Sequence, residues 1–210
     1  MVLGNHGRSI TNAVFSPVAR FLARVGVTPN MVTLTSATLA AGVAIGVIAQ
    51  GHLLVGTLVI GVIMFADSLD GVLARQTGQD SPFGAFLDST IDRITDGIFF
   101  ASLVWCSVFH LEVGPARTTL IAAGLLSLVF GATVPYARAR AESVGVKASV
   151  GIAERTDRLL VVGLGALLTG AGLSAWPLAI AFVWVAFASA VTVVQRVLYT
   201  AKGLKERSAT

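Results

Sequence analysis

Charge is scarce in this chain. Asp, Glu, Lys and Arg together make up 12% of its 210 residues, and hydrophobic residues make up 55%. With a mean hydropathy of +0.82, that composition excludes an ordinary soluble globular domain and predicts one integral membrane domain over 1–210. Cysteine is nearly absent. The lone Cys106 rules out an intramolecular disulfide and, within an apolar run, reads as a small buried hydrophobe. Histidine is equally sparse: His6, His52 and His110 are scattered without metal-ligand spacing. The N-terminus has no continuous apolar h-region, so no cleaved signal peptide is expected. The net charge of +4, given where the basic residues fall, points to an anionic membrane face and not to nucleic acid.

What the chain does have is a series of apolar segments. Over about 8–25, Ile10, Val14, Val18, Phe21, Leu22 and Val25 share one helical face, with Arg20 and Arg24 opposite. This predicts an amphipathic interfacial helix or a helix packed on the cytosolic side, with Pro17 as kink or start. Six transmembrane helices are then expected within 29–200. The first starts at Thr28-Pro29-Asn30, with Thr28 as N-cap, and runs to about Ala49. Its Gly42 and Gly46 predict close packing inside the bundle. The others run from about Leu53 to Arg75, Gly84 to Phe109, Thr118 to Glu142 (with a bend at Pro135), Asp157 to Leu168 and Pro177 to Tyr199, leaving a cytoplasmic tail over 201–210. Gly163 and Gly165 lie in an apolar helix with no preceding strand, which excludes a dinucleotide fingerprint.

The conspicuous exception to the shortage of charge is one stretch. From Asp67 to Asp96 there are six acids (Asp67, Asp70, Asp80, Asp88, Asp92, Asp96) and two bases (Arg75, Arg93), a net charge of −4 between apolar flanks. Each carboxylate near a bilayer centre costs about 2.5–3.5 kcal/mol on insertion scales, and two arginines cannot balance the charge. Two divalent cations can. Asp67 and Asp70 are spaced i,i+3, and Asp88 and Asp92 i,i+4, so each pair shares a helix face. Asp70 lies five residues before Arg75 and Asp88 four after Gly84, on either side of a polar loop at Gln76–Phe83, so a helical hairpin brings the pairs together at similar depth. Oxygen donors suit Mg2+ or Mn2+, and no Cys or His in the stretch favours zinc. Asp67, Asp70 and Asp88 are the first candidates for ligands. Asp92, one turn on, can reach a metal or accept a proton, and spacing does not separate the two roles. Asp96 is expected to pair with protein. Gly71, Ala74 and Gly84, lacking bulk beside the acids, either leave room for a flat ligand or let helices approach.

The arrangement Asp67-x-x-Asp70-Gly71-x-x-Ala74-Arg75, eight residues, Gly84-x-x-x-Asp88-x-x-x-Asp92 resembles the signature of the CDP-alcohol phosphotransferases. The resemblance implies a membrane enzyme with two metal ions, held by Asp67, Asp70, Asp88 and Asp92, with Asp92 as general base. It also implies that Pro29, Asn30, Thr33, Asp67, Asp70, Gly71, Ala74, Arg75 and Gly84 bind the CDP-diacylglycerol. The segments Tyr136–Glu142 and Gly151–Arg158 and the pair Gln195-Arg196 further resemble the actinobacterial phosphatidylinositol phosphate synthases. These join inositol phosphate to CDP-diacylglycerol, and the likeness implies a homodimer. Arg138, Arg155 and Arg196 lie at helix ends and are candidates for binding the acceptor phosphate, with Lys147 nearby. Their alternation with Glu142, Glu154 and Asp157 suggests more than membrane-face charge. Two alternatives stand: a phosphatidylglycerophosphate synthase acting on glycerol 3-phosphate, and a cation or proton transporter using the aspartates. A transporter places its acids near the midplane, whereas these lie beside a loop.

Fourteen of the fifteen basic residues fall on one side of the expected bundle, with only Arg117 on the other. The asymmetry predicts a multi-pass plasma-membrane protein with both termini and the aspartate hairpin facing the cytoplasm. Single cysteines introduced near Arg117 should react with an impermeant thiol reagent added outside intact cells, and cysteines near Gln79 should not. The reverse labelling pattern would contradict this orientation.

Overall fold

The computed structural model describes residues 17–18, 20–67, 69–79 and 81–208, and within them the chain is helical, with no strand. Helix α1 spans Pro29–Val43 and continues into a π-turn at Ala44–Ile48. Next come α2 (Leu53–Asp67), α3 (Leu69–Thr77), α4 (Pro82–His110), α5 (Pro115–Ser143), α6 (Arg155–Gly170) and α7 (Trp176–Ser208). The starts have local causes. Thr28 Oγ1 accepts from Met31 N at 3.4 Å ahead of Pro29, and Ser81 Oγ accepts from Gly84 N at 3.0 Å ahead of Pro82. The Ser-Pro signal starts α4 two residues before the expected Gly84. A capping box between Glu154 and Asp157 starts α6. These two acids therefore have a structural job, as does Glu142, which pairs with Arg138 at 3.0 Å. Their alternation with arginines is accounted for by helix chemistry.

The core joins the two longest late helices, α5 and α7, with α4 and α6 against them. Leu103, Leu120, Val162, Leu178, Phe182 and Val185 are fully buried. Phe100 meets Phe182 edge-on, with centroids 5.4 Å apart, and Ser127 Oγ donates to the Phe182 carbonyl at 3.1 Å. Close approach depends on other small residues than those expected. A Cβ on Gly165 would lie 2.9 Å from Pro177 O, and one on Gly170 would meet Leu54 backbone, whereas Gly42 and Gly46 face open space. The bundle-packing expectation for Gly42 and Gly46 is thus corrected. Cys106 is fully buried, as expected.

Large apolar side chains also cover the outside, among them Val62, Leu126, Val129, Ile180, Phe187 and Leu198, as lipid contact requires. Among the described residues, four stretches are long and apolar enough to cross a bilayer: Pro29–Ile48, Leu53–Thr77, Pro115–Ser143 and Trp176–Arg207. The other two helices fall short for different reasons. Helix α6 has 16 residues, about 24 Å of rise against a hydrocarbon core of about 30 Å. Helix α4 carries Asp88, Asp92, Arg93 and Asp96 in its first half. At the far end α7 continues past Tyr199 into the expected tail as far as Ser208, with Lys202 and Glu206 spaced i,i+4 at 3.9 Å. Of the amphipathic helix expected over 8–25, residues 1–16 and 19 lie outside the described residues. Residues 20–24 are helical, and Leu22 and Ala23 pack against Leu69, Val72 and Leu73 of α3.

Pro135 interrupts α5 in a specific way. It has no N–H to give the carbonyl four residues back, at Gly131. Arg158, buried in α6, fills the gap: its Nη1 donates to Gly131 O at 2.8 Å. One arginine thereby ties α6 to α5 at the proline. Arg158→Met should lower stability by about 1–3 kcal/mol, the usual cost of an orphaned buried acceptor, read as a fall in the thermal midpoint in detergent. In a Pro135→Ala background the same change should cost less, because the N–H is restored. An equal loss in both backgrounds would refute the pairing.

Candidate active site

Three helices bring the motif acids together. Asp67 ends α2, Asp70 lies in the first turn of α3, and Asp88 lies in the second turn of α4. Their carboxylate oxygens lie within 4.8 Å of one another, and all three side chains are partly buried. Three like charges at that separation repel by on the order of 3 kcal/mol per pair at an effective dielectric of about 20. Hard oxygen donors converging from three helices fit a divalent cation such as Mg2+ or Mn2+.

Helix α1 supplies the support. Thr33 Oγ1 donates to Asp70 Oδ2 at 2.7 Å, and Ser36 Oγ donates to Asp67 Oδ1. The two hydroxyls sit i,i+3 on one face of α1, so a single helix orients two of the three acids. Each hydroxyl also lies within reach of α1 carbonyls, Thr33 of Pro29 O and Ser36 of Val32 O and Thr33 O. With one proton each, they have somewhere to turn when a carboxylate is engaged elsewhere. Asp70 Oδ1 accepts from the Gly71 N–H as well.

A groove of about 500 Å3 opens beside the acids. It is lined by Pro29, Asn30, Thr33, Asp70, Gly71, Ala74, Gly84 and Asp88, with Gln79, Ser81, Pro82 and Ala85. Gly84 is where bulk matters most, since a Cβ there would sit 3.2 Å from Ser81 Oγ and 3.4 Å from Asn30 Oδ1. Two expected residues lie elsewhere. Asp67 faces a small cavity shared with Ser36, Asp92 and Arg155. Arg75, exposed in the last turn of α3, is outside the lining but beside it, since a Cβ on Gly71 would lie 3.4 Å from its Nη1. Ser36 and Ser81 were missed as site residues in sequence. A Ser three residues after Thr33 in an apolar helix, and a Ser-Pro pair before the Gly84 motif, were the available signals.

Asp92 differs from the other three acids in having arginine partners. Arg155, the first residue of α6, lays Nη2 on Asp92 Oδ1 at 2.9 Å, and Arg93 Nη2 approaches Asp92 Oδ2 at 3.5 Å. Asp96 pairs with protein as expected, accepting from Arg155 Nε at 3.0 and 3.1 Å and from Nη2 at 2.9 Å. The other two candidate arginines have protein partners of their own. Arg138 is exposed on Glu142. Arg196 is buried, with Nε on Val150 O at 3.0 Å and Nη1 on Val134 O at 2.6 Å. The loop before Arg155 is pinned to α7 from below, because Thr192 Oγ1 accepts from both Ile152 N and Ala153 N at 3.2 Å.

A hairpin of aspartates beside a small-residue groove in an all-helical membrane chain defines the class, and residues 26–194 match the family model described as CDP-alcohol phosphatidyltransferase. The chain belongs to that family and is an enzyme of that type, which sets the transporter alternative aside. It is similar to the phosphatidylinositol phosphate synthase of Corynebacterium glutamicum, 39% identical over 96% of this chain and 90% of that one. The synthase of Mycobacterium tuberculosis strain H37Rv is 38% identical over 93% of this chain and 90% of its own. Two crystal structures of the Mycobacterium tuberculosis synthase superpose with a TM-score of 0.82 at 36% identity. One holds manganese and citrate and covers 89% of this chain and 88% of that one. The other has CDP-DAG bound and covers 90% and 94%.

Removing either α1 hydroxyl should loosen the metal site without dismantling it. Thr33→Val and Ser36→Ala should each raise the Mn2+ concentration needed for half-maximal activity by about 10–100-fold, the usual price of losing a group that orients a ligand. Unchanged metal midpoints in both variants would show that α1 does not hold the acids.

Proposed function

We propose that this protein transfers a phosphatidyl group from CDP-diacylglycerol to a hydroxyl of inositol phosphate, giving phosphatidylinositol phosphate and CMP. The observation that carries the reading is the convergence of Asp67, Asp70 and Asp88 at a groove lined by the motif's own small residues. The chain's likeness to synthases of that product supports the choice of acceptor. Six spans, with α4 and α6 as the two polar or short ones, keep both termini and the acids on the cytoplasmic side of the plasma membrane. The working unit is one membrane domain, paired as a homodimer as the resemblance implies.

Asp67, Asp70, Asp88 and Asp92 would hold two ions, Mg2+ or Mn2+. Bound there, the cations neutralise phosphoryl oxygens and favour departure of CMP. The protein's own groups do the rest. Gly71, Ala74 and Gly84 leave space for base and ribose, and Pro29, Asn30, Thr33 and Arg75 border it. The acceptor oxygen bonds to the phosphorus that carries the diacylglycerol chain, the bond from that phosphorus to the CMP oxygen breaks, and the hydroxyl proton passes to Asp92. The Arg155 contact orients Asp92 for this task.

Arg138, Arg155 and Arg196 receive the acceptor phosphate with the donors their protein contacts leave over, since each guanidinium has five N–H groups. The exposed Arg138–Glu142 pair exchanges at little cost, because such pairs are worth about 0–1 kcal/mol. A phosphate monoester carries about −1.5 to −2 charges at neutral pH and calls for more than one cation.

The test is the purified protein with CDP-diacylglycerol and a panel of acceptors. Inositol phosphate should be used, and free inositol rejected by several kcal/mol. Better turnover with glycerol 3-phosphate would move the assignment to phosphatidylglycerophosphate synthesis. Asp92→Asn should cost turnover more than it costs CDP-diacylglycerol binding, whereas Asp67→Asn and Asp88→Asn should lower metal affinity and turnover together. Near-normal turnover of Asp92→Asn at saturating metal would remove it as the base.

A further inference from the structure

We infer that Asp96, which lies outside the motif, is a positioning residue: it sets the Arg155 guanidinium for the phosphate-bearing acceptor. The inference rests on the acceptor reading above and concerns a residue that reading does not use. Asp92 and Asp96 are spaced i,i+4 on α4, one above the other, and a single side chain from α6 spans them. The two contacts are unequal. Asp96 takes both Nε and Nη2 of Arg155, at 2.9–3.1 Å, whereas Asp92 takes Nη2 alone, at 2.9 Å. Engagement along the Nε–Nη2 edge fixes the plane of the guanidinium. The single contact to Asp92 then follows from the plane that Asp96 has set. Among the described residues these bonds leave Nη1 for another anion.

The alternative position of Arg155 shows why Asp96 matters. Arg155 shares a small cavity with Asp67 and Asp92. Without the Asp96 charge, the nearest acids left to the guanidinium are those two, and it would turn from the acceptor side toward the acid cluster. Asp96 gives Arg155 a partner that neither the metal ligands nor the nucleotide groove requires. The backbone under Arg155 has its own anchors, the Glu154–Asp157 capping box and Thr192 Oγ1 beneath Ile152 and Ala153. A change at Asp96 therefore acts on the Arg155 side chain and leaves its loop in place.

The experiment is a double-mutant cycle of Asp96→Asn and Arg155→Ala, with KM measured separately for each substrate. Asp96→Asn keeps the shape and removes the charge. Loss of a charge-assisted pair should raise KM for the phosphorylated acceptor about tenfold, with KM for CDP-diacylglycerol within about twofold of wild type. The double variant should be no worse for the acceptor than Arg155→Ala alone, because Asp96 acts only through Arg155. Asp96→Glu, which keeps the charge, should recover part of the acceptor KM. Additive effects would overturn the inference. So would an equal rise in both KM values with a lowered thermal midpoint, which is the signature of a purely structural tie. If wild type prefers glycerol 3-phosphate, the acceptor assignment fails and the cycle is read on that phosphate instead. A wild type that uses only unphosphorylated acceptors overturns both.

Discussion

Repulsion among Asp67, Asp70 and Asp88 is the constraint around which this structure is arranged. Three carboxylates with oxygens within 4.8 Å in a largely apolar bundle are unfavourable by several kcal/mol unless cations join them. Three helices must meet to bring them there. The loop between α3 and α4 folds the chain back, Ser81 and Pro82 start α4 in the right place, and α1 lies alongside to offer Thr33 and Ser36. The groove that opens beside them is lined with Gly71, Ala74 and Gly84 because larger side chains would fill it.

The negative charge is divided between two regions. Asp67, Asp70 and Asp88 form the cluster, whereas Asp92 and Asp96 face the guanidinium of Arg155. One helix, α4, serves both regions, with Asp88 on one and Asp92 and Asp96 on the other. Asp92, which shares a small cavity with Asp67 and takes Arg155, lies where the two regions meet. The pairing with Arg155 gives the loop ahead of α6 its importance, since Thr192 and Arg196 of α7 hold that loop and Arg155 is the first helical residue after it.

Much of this was legible in the sequence because the signals were local. The i,i+3 and i,i+4 aspartate spacings, the Thr28-Pro29 helix start and the low charge elsewhere required no tertiary information. The missing parts depend on contacts between distant segments. Nothing near Pro135 says that Arg158 will supply its missing hydrogen bond. The role of Ser36 is visible only once α1 lies against α2. Gly42 and Gly46 carry a packing motif, yet it is Gly165 and Gly170 that admit neighbouring backbone. Glu142, Glu154 and Asp157 suggested a pocket by their alternation with arginines, but they act in a helix pair and a capping box. Arg138, Arg155 and Arg196 have separate protein partners, which the spacing of helix ends could not reveal.

The central claim is that the acid cluster works only with divalent cations. The most direct measurement is transfer activity of the purified protein after exhaustive chelation, followed by titration with Mg2+ or Mn2+. The account predicts that activity disappears on chelation and returns with either ion. Full activity in the chelated protein would contradict it.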